Sequence, residues 1–238
     1  MKHVAKGGAP RELINWKNEN KATPENIVYG GGGFPNEAVK LALLHEQGWI
    51  CGYTMVALAS DQACHIEHIL PRSIYPELQT EFHNLLACHP ANGGDTSIGF
   101  GAPLKAGTDV NKDTFVSPAD ASCERRFCFS QDGGVRGHDG DGAAANTIEI
   151  LKLNNDNLKQ KRLAAIGARG LTNRPAREGR PRRKLATARE ARQLADSVLR
   201  RNAFGRHEEF CVALHQVASA YAEKEERRAG RLKGGARS

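Results

Sequence analysis

The run His65-Ile66-Glu67-His68-Ile69-Leu70-Pro71 sets two histidines and a glutamate among apolar residues and then stops at a proline. As a short strand it would put His65 and Glu67 on one face and His68 on the other, because successive side chains of a strand point to opposite sides. Pro71 ends the strand, and a loop containing Pro76 carries the chain to Asn84, whose side-chain amide can fix an imidazole ring nitrogen. Three imidazoles and Glu67 fall between residues 65 and 83, more than a solvated loop needs. Neutral imidazole and carboxylate are what a divalent cation or a proton transfer requires. The stretch therefore predicts a hydrolytic metal site in which Glu67 holds a cation, His68 addresses a water beside it and Asn84 orients the ring.

The rest of the chain narrows the classes available. With 238 residues there is room for one sizeable domain plus an appendage, or two small ones. Hydrophobic residues make up 39% and charged residues 26%, and no run approaches the roughly 20 apolar residues of a membrane-spanning helix, so no membrane partner is expected. Residues 1–8 lack an apolar segment behind their lysines, which predicts a cytoplasmic protein. Residues 30–33 are four glycines without the Gly-Lys ending of a phosphate-binding loop and read as a joint. Residues 138–142 resemble a calcium loop in composition only and read as a hairpin tip. The six cysteines form no Cys-x-x-Cys pair and read as buried, reduced thiols.

Periodicity predicts helices over residues 10–20 and 36–47, the second closed by Gly48. Residues 49–59 are β-prone and read as the first strand of a hairpin whose return strand is 65–69. Residues 82–89 read as the start of the helix closing the motif, cut short by Pro90. Two short strands are expected near 115–116 and 127–129, then helices over 143–153 and 158–166. The fold class is α+β.

Several of these residues resemble a known family. Glu67-His68-Ile69-Leu70-Pro71 followed by Asn84 is similar to the HNH, or ββα-metal, nuclease motif, a hairpin and helix around one divalent ion. The flanking stretches at 46–54, 84–88, 100–105 and 115–127 resemble the PtuB-type HNH nucleases of Septu and retron-linked antiphage defence, and the resemblance covers roughly residues 1–170. It implies a ββα core within about 45–110, Mg²⁺ or Mn²⁺ as cofactor, His68 as general base, Asn84 as its orienter and Lys105 beside the scissile phosphate. Pro103 stands where the family pattern has a metal-binding histidine, so either His65 or His89 completes the coordination of Glu67, or the ion is held loosely; His65 is favoured because it shares the face of Glu67. Many such relatives carry a second cysteine where this chain has Thr54, and structural zinc is not expected. A competing reading makes the chain a nucleic-acid-binding or scaffolding subunit whose site has decayed.

Beyond residue 170 the composition changes. Residues 169–206 hold twelve arginines and lysines against three acidic residues, so this segment alone outweighs the chain's formal charge of +7. Residues 171–184 read as a basic linker whose Arg174, Arg177, Arg180, Arg182, Arg183 and Lys184 can contact nucleic-acid phosphates without sequence selectivity, and the resemblance implies DNA ahead of RNA. Residues 185–201 and 206–226 predict two helices of an appendage at 185–226, and 227–238 a disordered tail. The resemblance also implies a partner ATPase of the ABC or SMC type.

Overall fold

The computed structural model describes residues 1–172 and 184–234. Arg174, Arg177, Arg180, Arg182 and Arg183 lie outside the described residues; Lys184 is described and exposed. The architecture is α+β, with seven helices and two small antiparallel sheets among the described residues.

Helix α1 (Arg11–Glu19) buries Leu13 and Trp16, and α2 (Asn36–Gln47) buries Val39, Leu43 and Leu44, which are spaced to share one face. Each such leucine stabilises the fold by about 1.5–3 kcal/mol relative to exposure. The segment between these helices folds back so that Phe34 packs edge-on against both Trp16 and Tyr29. Helix α2 ends as predicted at Gly48, whose φ of +64° few other residues tolerate. A side chain there would also run into His207, whose N–H donates to the Gly48 carbonyl.

Strand β1 (His65–His68) pairs antiparallel with β2 (Leu85–Cys88), with Glu67 opposite Leu86 and His68 opposite Leu85. Two expectations are overturned here. Residues 49–59 do not form the hairpin partner of β1; they carry one isolated bridge, Ile50 to Ala57, and run beside β2 through Gly52 N–H to Ala87 O. Residues 82–89 are not a helix but a single 3₁₀ turn at Phe82–Asn84 followed by β2. An apolar run this short suits either state, and pairing with β1 decides it. The buried Gln47 side chain reinforces the strand, accepting from Ala87 N–H and donating to Ala87 O, each at 2.8 Å.

The helix that follows, α3 (Ala102–Lys105), is a single turn with Pro103 in its opening positions, where proline costs no hydrogen bond. A second hairpin, β3 (Phe127–Phe129) with β4 (Val135–Gly137), precedes α4 (Gly142–Ile150) and α5 (Asp156–Ala168). Residues 115–116 are buried loop, not strand. Helix α4 starts on the Asp141 cap, which Arg126 holds through bonds of 2.6 and 2.7 Å.

Helix α6 (Ala188–Ser197) opens on a Thr187–Glu190 capping box. Helix α7 (Cys211–Gly234) begins later than residue 206 and runs past 227, where the tail was expected. Residues 223–229 are strong helix formers, and Arg228 pairs with Glu225 one turn back. On its inner side, α7 buries Leu214, Val217 and Ala218 in the same core as β3, and Gln216 exchanges hydrogen bonds with the backbone of Phe127 and Phe129.

Candidate active site

Strand alternation divides the polar residues of β1 as its sequence implies. His68 turns inward with Ile66, while His65 and Glu67 face α3 and the loop after β2. The His68 side chain is 7% exposed, and its Nε2 lies 2.8 Å from the carbonyl oxygen of Gln79. A carbonyl only accepts, so Nε2 carries the proton and Nδ1 holds the lone pair in the neutral ring. Tyr29 stands edge-on to the ring, with centroids 4.7 Å apart, and fixes its plane. Burial pulls the His68 pKa below its usual value, and the charges of Arg72 and Lys105 pull in the same direction against the Gln79 carbonyl. At neutral pH the group is an imidazole able to take up a proton.

His65 is held by the same principle. Its Nδ1 sits 2.5 Å from the Pro90 carbonyl, so its Nε2 is the bare nitrogen. That Nε2 is buried, has no hydrogen-bond partner among the described residues and lies 3.9 Å from Glu67 Oε2. Burial also lowers the His65 pKa. Gly93 presses on the ring so closely that a Cβ there would come within 2.7 Å of it.

The other carboxylate oxygen of Glu67, Oε1, pairs with the Lys105 ammonium at 2.8 Å as an ion-pair contact only, being buried without a hydrogen-bond partner among the described residues. Burial raises the Glu67 pKa, and the charge of Lys105 holds it back. Lys105 is itself 0% exposed and also donates to the His68 carbonyl at 2.9 Å. Placement beside a substrate phosphate, expected for Lys105, does not fit this burial. The lysine points inward from α3 and ties the helix to β1.

Asn84 departs from expectation in a different way. Its amide oxygen accepts from Leu70 N–H at 2.8 Å, and its nitrogen donates to Leu70 O at 3.0 Å and Leu78 O at 3.3 Å. It clamps the two ends of the loop between the strands instead of orienting His68, a task that falls to Gln79 and Tyr29. Of the remaining candidates, His89 stacks on Phe100 at 6.3 Å, and His83 is exposed. No group of three His, Cys, Asp or Glu side chains capable of holding a metal occurs among the described residues. His65 and Glu67 are thus the two donors brought together.

Three neighbours were not singled out from the sequence. Gln79 meets His68 through its backbone carbonyl, which leaves no side-chain signal, while its amide oxygen accepts from the Tyr29 N–H at 3.1 Å. Arg72 directly follows the motif's proline; it is exposed, lies 5.2 Å from the Tyr29 ring centroid and forms no ion pair with a described residue. The Tyr53 hydroxyl is buried without a hydrogen-bond partner among the described residues, and burial and the Glu67 charge both raise its pKa. Although burial raises the pKa of the nearby Cys51 thiol, hydrogen bonds from Cys88, Thr54 and His89 N–H bring it down to about 6.

Against known proteins, this chain is 30% identical over 158 residues to the Septu protein PtuB of Bacillus thuringiensis. The chain is similar to a Septu protein. The match covers 65% of this chain and 55% of PtuB, so the chain spans about half the length of that relative. No family model matches it. No helix among the described residues is long and apolar enough to cross a membrane.

Proposed function

We propose that this chain is a metal-dependent HNH-type endonuclease and the nuclease component of a Septu-like antiphage defence complex. The observation that carries this reading is His68, a buried neutral imidazole locked at Nε2 by Gln79, adjacent in β1 to a carboxylate that shares its face with a second bare imidazole nitrogen. The order of β1, β2 and α3, and the similarity to PtuB, support the same reading.

His65 and Glu67 fit a divalent cation as a two-donor site: an orphaned, lone-pair-bearing Nε2 beside a carboxylate oxygen, with water and substrate free to complete the shell. Mg²⁺ or Mn²⁺ held there would supply positive charge for the oxygen that leaves phosphorus. His68 Nδ1 removes a proton from the attacking water, and its Nε2–H passes none because Gln79 holds it. Arg72, exposed and with no acidic partner among the described residues, binds a non-bridging oxygen of the scissile phosphate. Lys105 keeps Glu67 in place. The partner is an ATPase of the ABC or SMC type, and the basic linker adds non-selective phosphate contacts.

The test offers DNA and RNA in parallel with Mg²⁺ or Mn²⁺. His68→Ala should abolish cleavage with nucleic-acid affinity nearly unchanged, while Arg72→Gln should weaken both. Undiminished turnover in His68→Ala would end the reading. A second reading, a nuclease-like binding subunit, is favoured by the Lys105 ammonium that already neutralises Glu67. It predicts binding without cleavage under every metal condition.

A further inference from the structure

We propose that Lys105 makes divalent-cation binding at Glu67 and His65 conditional on a bound phosphodiester. This rests on the proposed function and concerns how that site is loaded. The observation is the partition of the Glu67 carboxylate: Oε1 is engaged by the Lys105 ammonium at 2.8 Å, and only Oε2 faces the bare His65 Nε2, at 3.9 Å. Lys105 cannot swing out to solvent without unpacking α3, since its side chain is fully buried and also bonded to the His68 carbonyl. Glu67 and Lys105 together carry no net charge, and the imidazole is neutral.

A divalent ion entering this site therefore meets a carboxylate whose charge is already balanced. No further acidic side chain joins the two donors to form a metal-binding group among the described residues. Uncompensated charge in a partly buried site is costly, so the bare protein holds the ion weakly. A phosphodiester oxygen brings the missing negative charge to the same place. Metal and nucleic acid then bind cooperatively, and linkage requires each to tighten the other by the same factor. The consequence is a site that stays unloaded away from its substrate although metal ions are abundant.

The experiment is calorimetric and needs no turnover. Mn²⁺ is titrated into the full-length His68→Ala protein, which should not cleave, with and without a short DNA duplex, and again with RNA. The expected result is a rise in Mn²⁺ affinity of roughly 5–150-fold when the nucleic acid is present, mirrored by an equal rise in nucleic-acid affinity with Mn²⁺. Adding Lys105→Met should tighten Mn²⁺ binding without nucleic acid and shrink the coupling; adding Lys105→Arg, which keeps the charge, should retain it. Equal Mn²⁺ affinity with and without nucleic acid overturns the proposal, and that comparison stands even if the methionine variant fails to fold. So does a folded Lys105→Met protein that binds Mn²⁺ no more tightly. If Glu67→Gln leaves Mn²⁺ binding untouched, the metal reading of Glu67 fails as well; Glu67-dependent binding without coupling rejects only the role of Lys105.

Discussion

Replacing Asn84 by alanine separates two roles that one residue can play next to a catalytic histidine. The side chain is 3% exposed and makes three hydrogen bonds, two to Leu70 and one to Leu78. Each contributes about 1 kcal/mol net, and stranding the Leu70 N–H and carbonyl adds a desolvation cost, so Asn84→Ala should lose about 2–4 kcal/mol. For a chain of this size that is a fall in Tm of roughly 5–15 °C. Asn84→Asp should be worse near neutral pH, because a carboxylate oxygen would then face two carbonyls, acceptor against acceptor. Urea titration followed by fluorescence of the two tryptophans gives the stability. Titration of the His68 ring by NMR in the folded variant gives the second readout, and its midpoint should stay where it is in the parent protein. Stability within about 0.5 kcal/mol of the parent, inside the ordinary range for a surface change, would refute the clamp. A displaced His68 titration would return Asn84 to the role of ring orienter.

Arg162 is a second buried anchor: it donates to Gly133 O at 2.6 Å and Leu153 O at 2.5 Å, and burial lowers its pKa to about 10. Arg162→Met keeps the bulk but strands both carbonyls, and should cost about 2–5 kcal/mol by urea denaturation. Stability should also fall with acid. The pKa of His207 is lowered to about 4 by burial and by the charges of Lys2 and Arg201, and those of His65, His68 and His89 are lowered too. Below about 6.5 the unfolded chain takes up protons that the folded one resists, so stability is full above that pH and declines towards 4. The raised pKa of Glu67 opposes this in part, and His207→Gln should flatten the decline in urea midpoints measured across that range. An unaltered slope would count against His207. In the basic linker, each phosphate contact removed by reversing Arg180, Arg182 or Arg183 should reduce the log–log salt slope of duplex binding by about 0.9, whereas a slope that stays constant would make the segment a tether only.

The parts of the site legible in the sequence were those set by local geometry. Alternation through His65, Glu67 and His68 needs only the two-residue repeat of a strand, and the end of α2 needs only Gly48. Residues 82–89 were illegible because their state depends on β1, more than a dozen residues upstream, and on the Gln47 side chain. The Asn84 clamp depends on where the loop returns, and the Gln79 contact on a backbone atom that every residue possesses. Lys105 misled for a related reason. The resemblance puts it beside a substrate phosphate, and only the fold turns it inward onto Glu67.

The Gln47 amide sits on β2 as a strand neighbour would, meeting both polar groups of Ala87. Its effect reaches beyond local support. A two-stranded sheet ordinarily offers open edges to any extended chain that can add a third strand, which is both a recognition mode and a route to aggregation. Here a side chain plugs that edge at its middle, and the Leu85 carbonyl nearby is taken by the Lys6 ammonium. An assembly partner that docks by strand addition is thereby turned away from β2, and the second hairpin is closed in the same way, by the Gln216 amide on β3 and the Asn154 amide on β4.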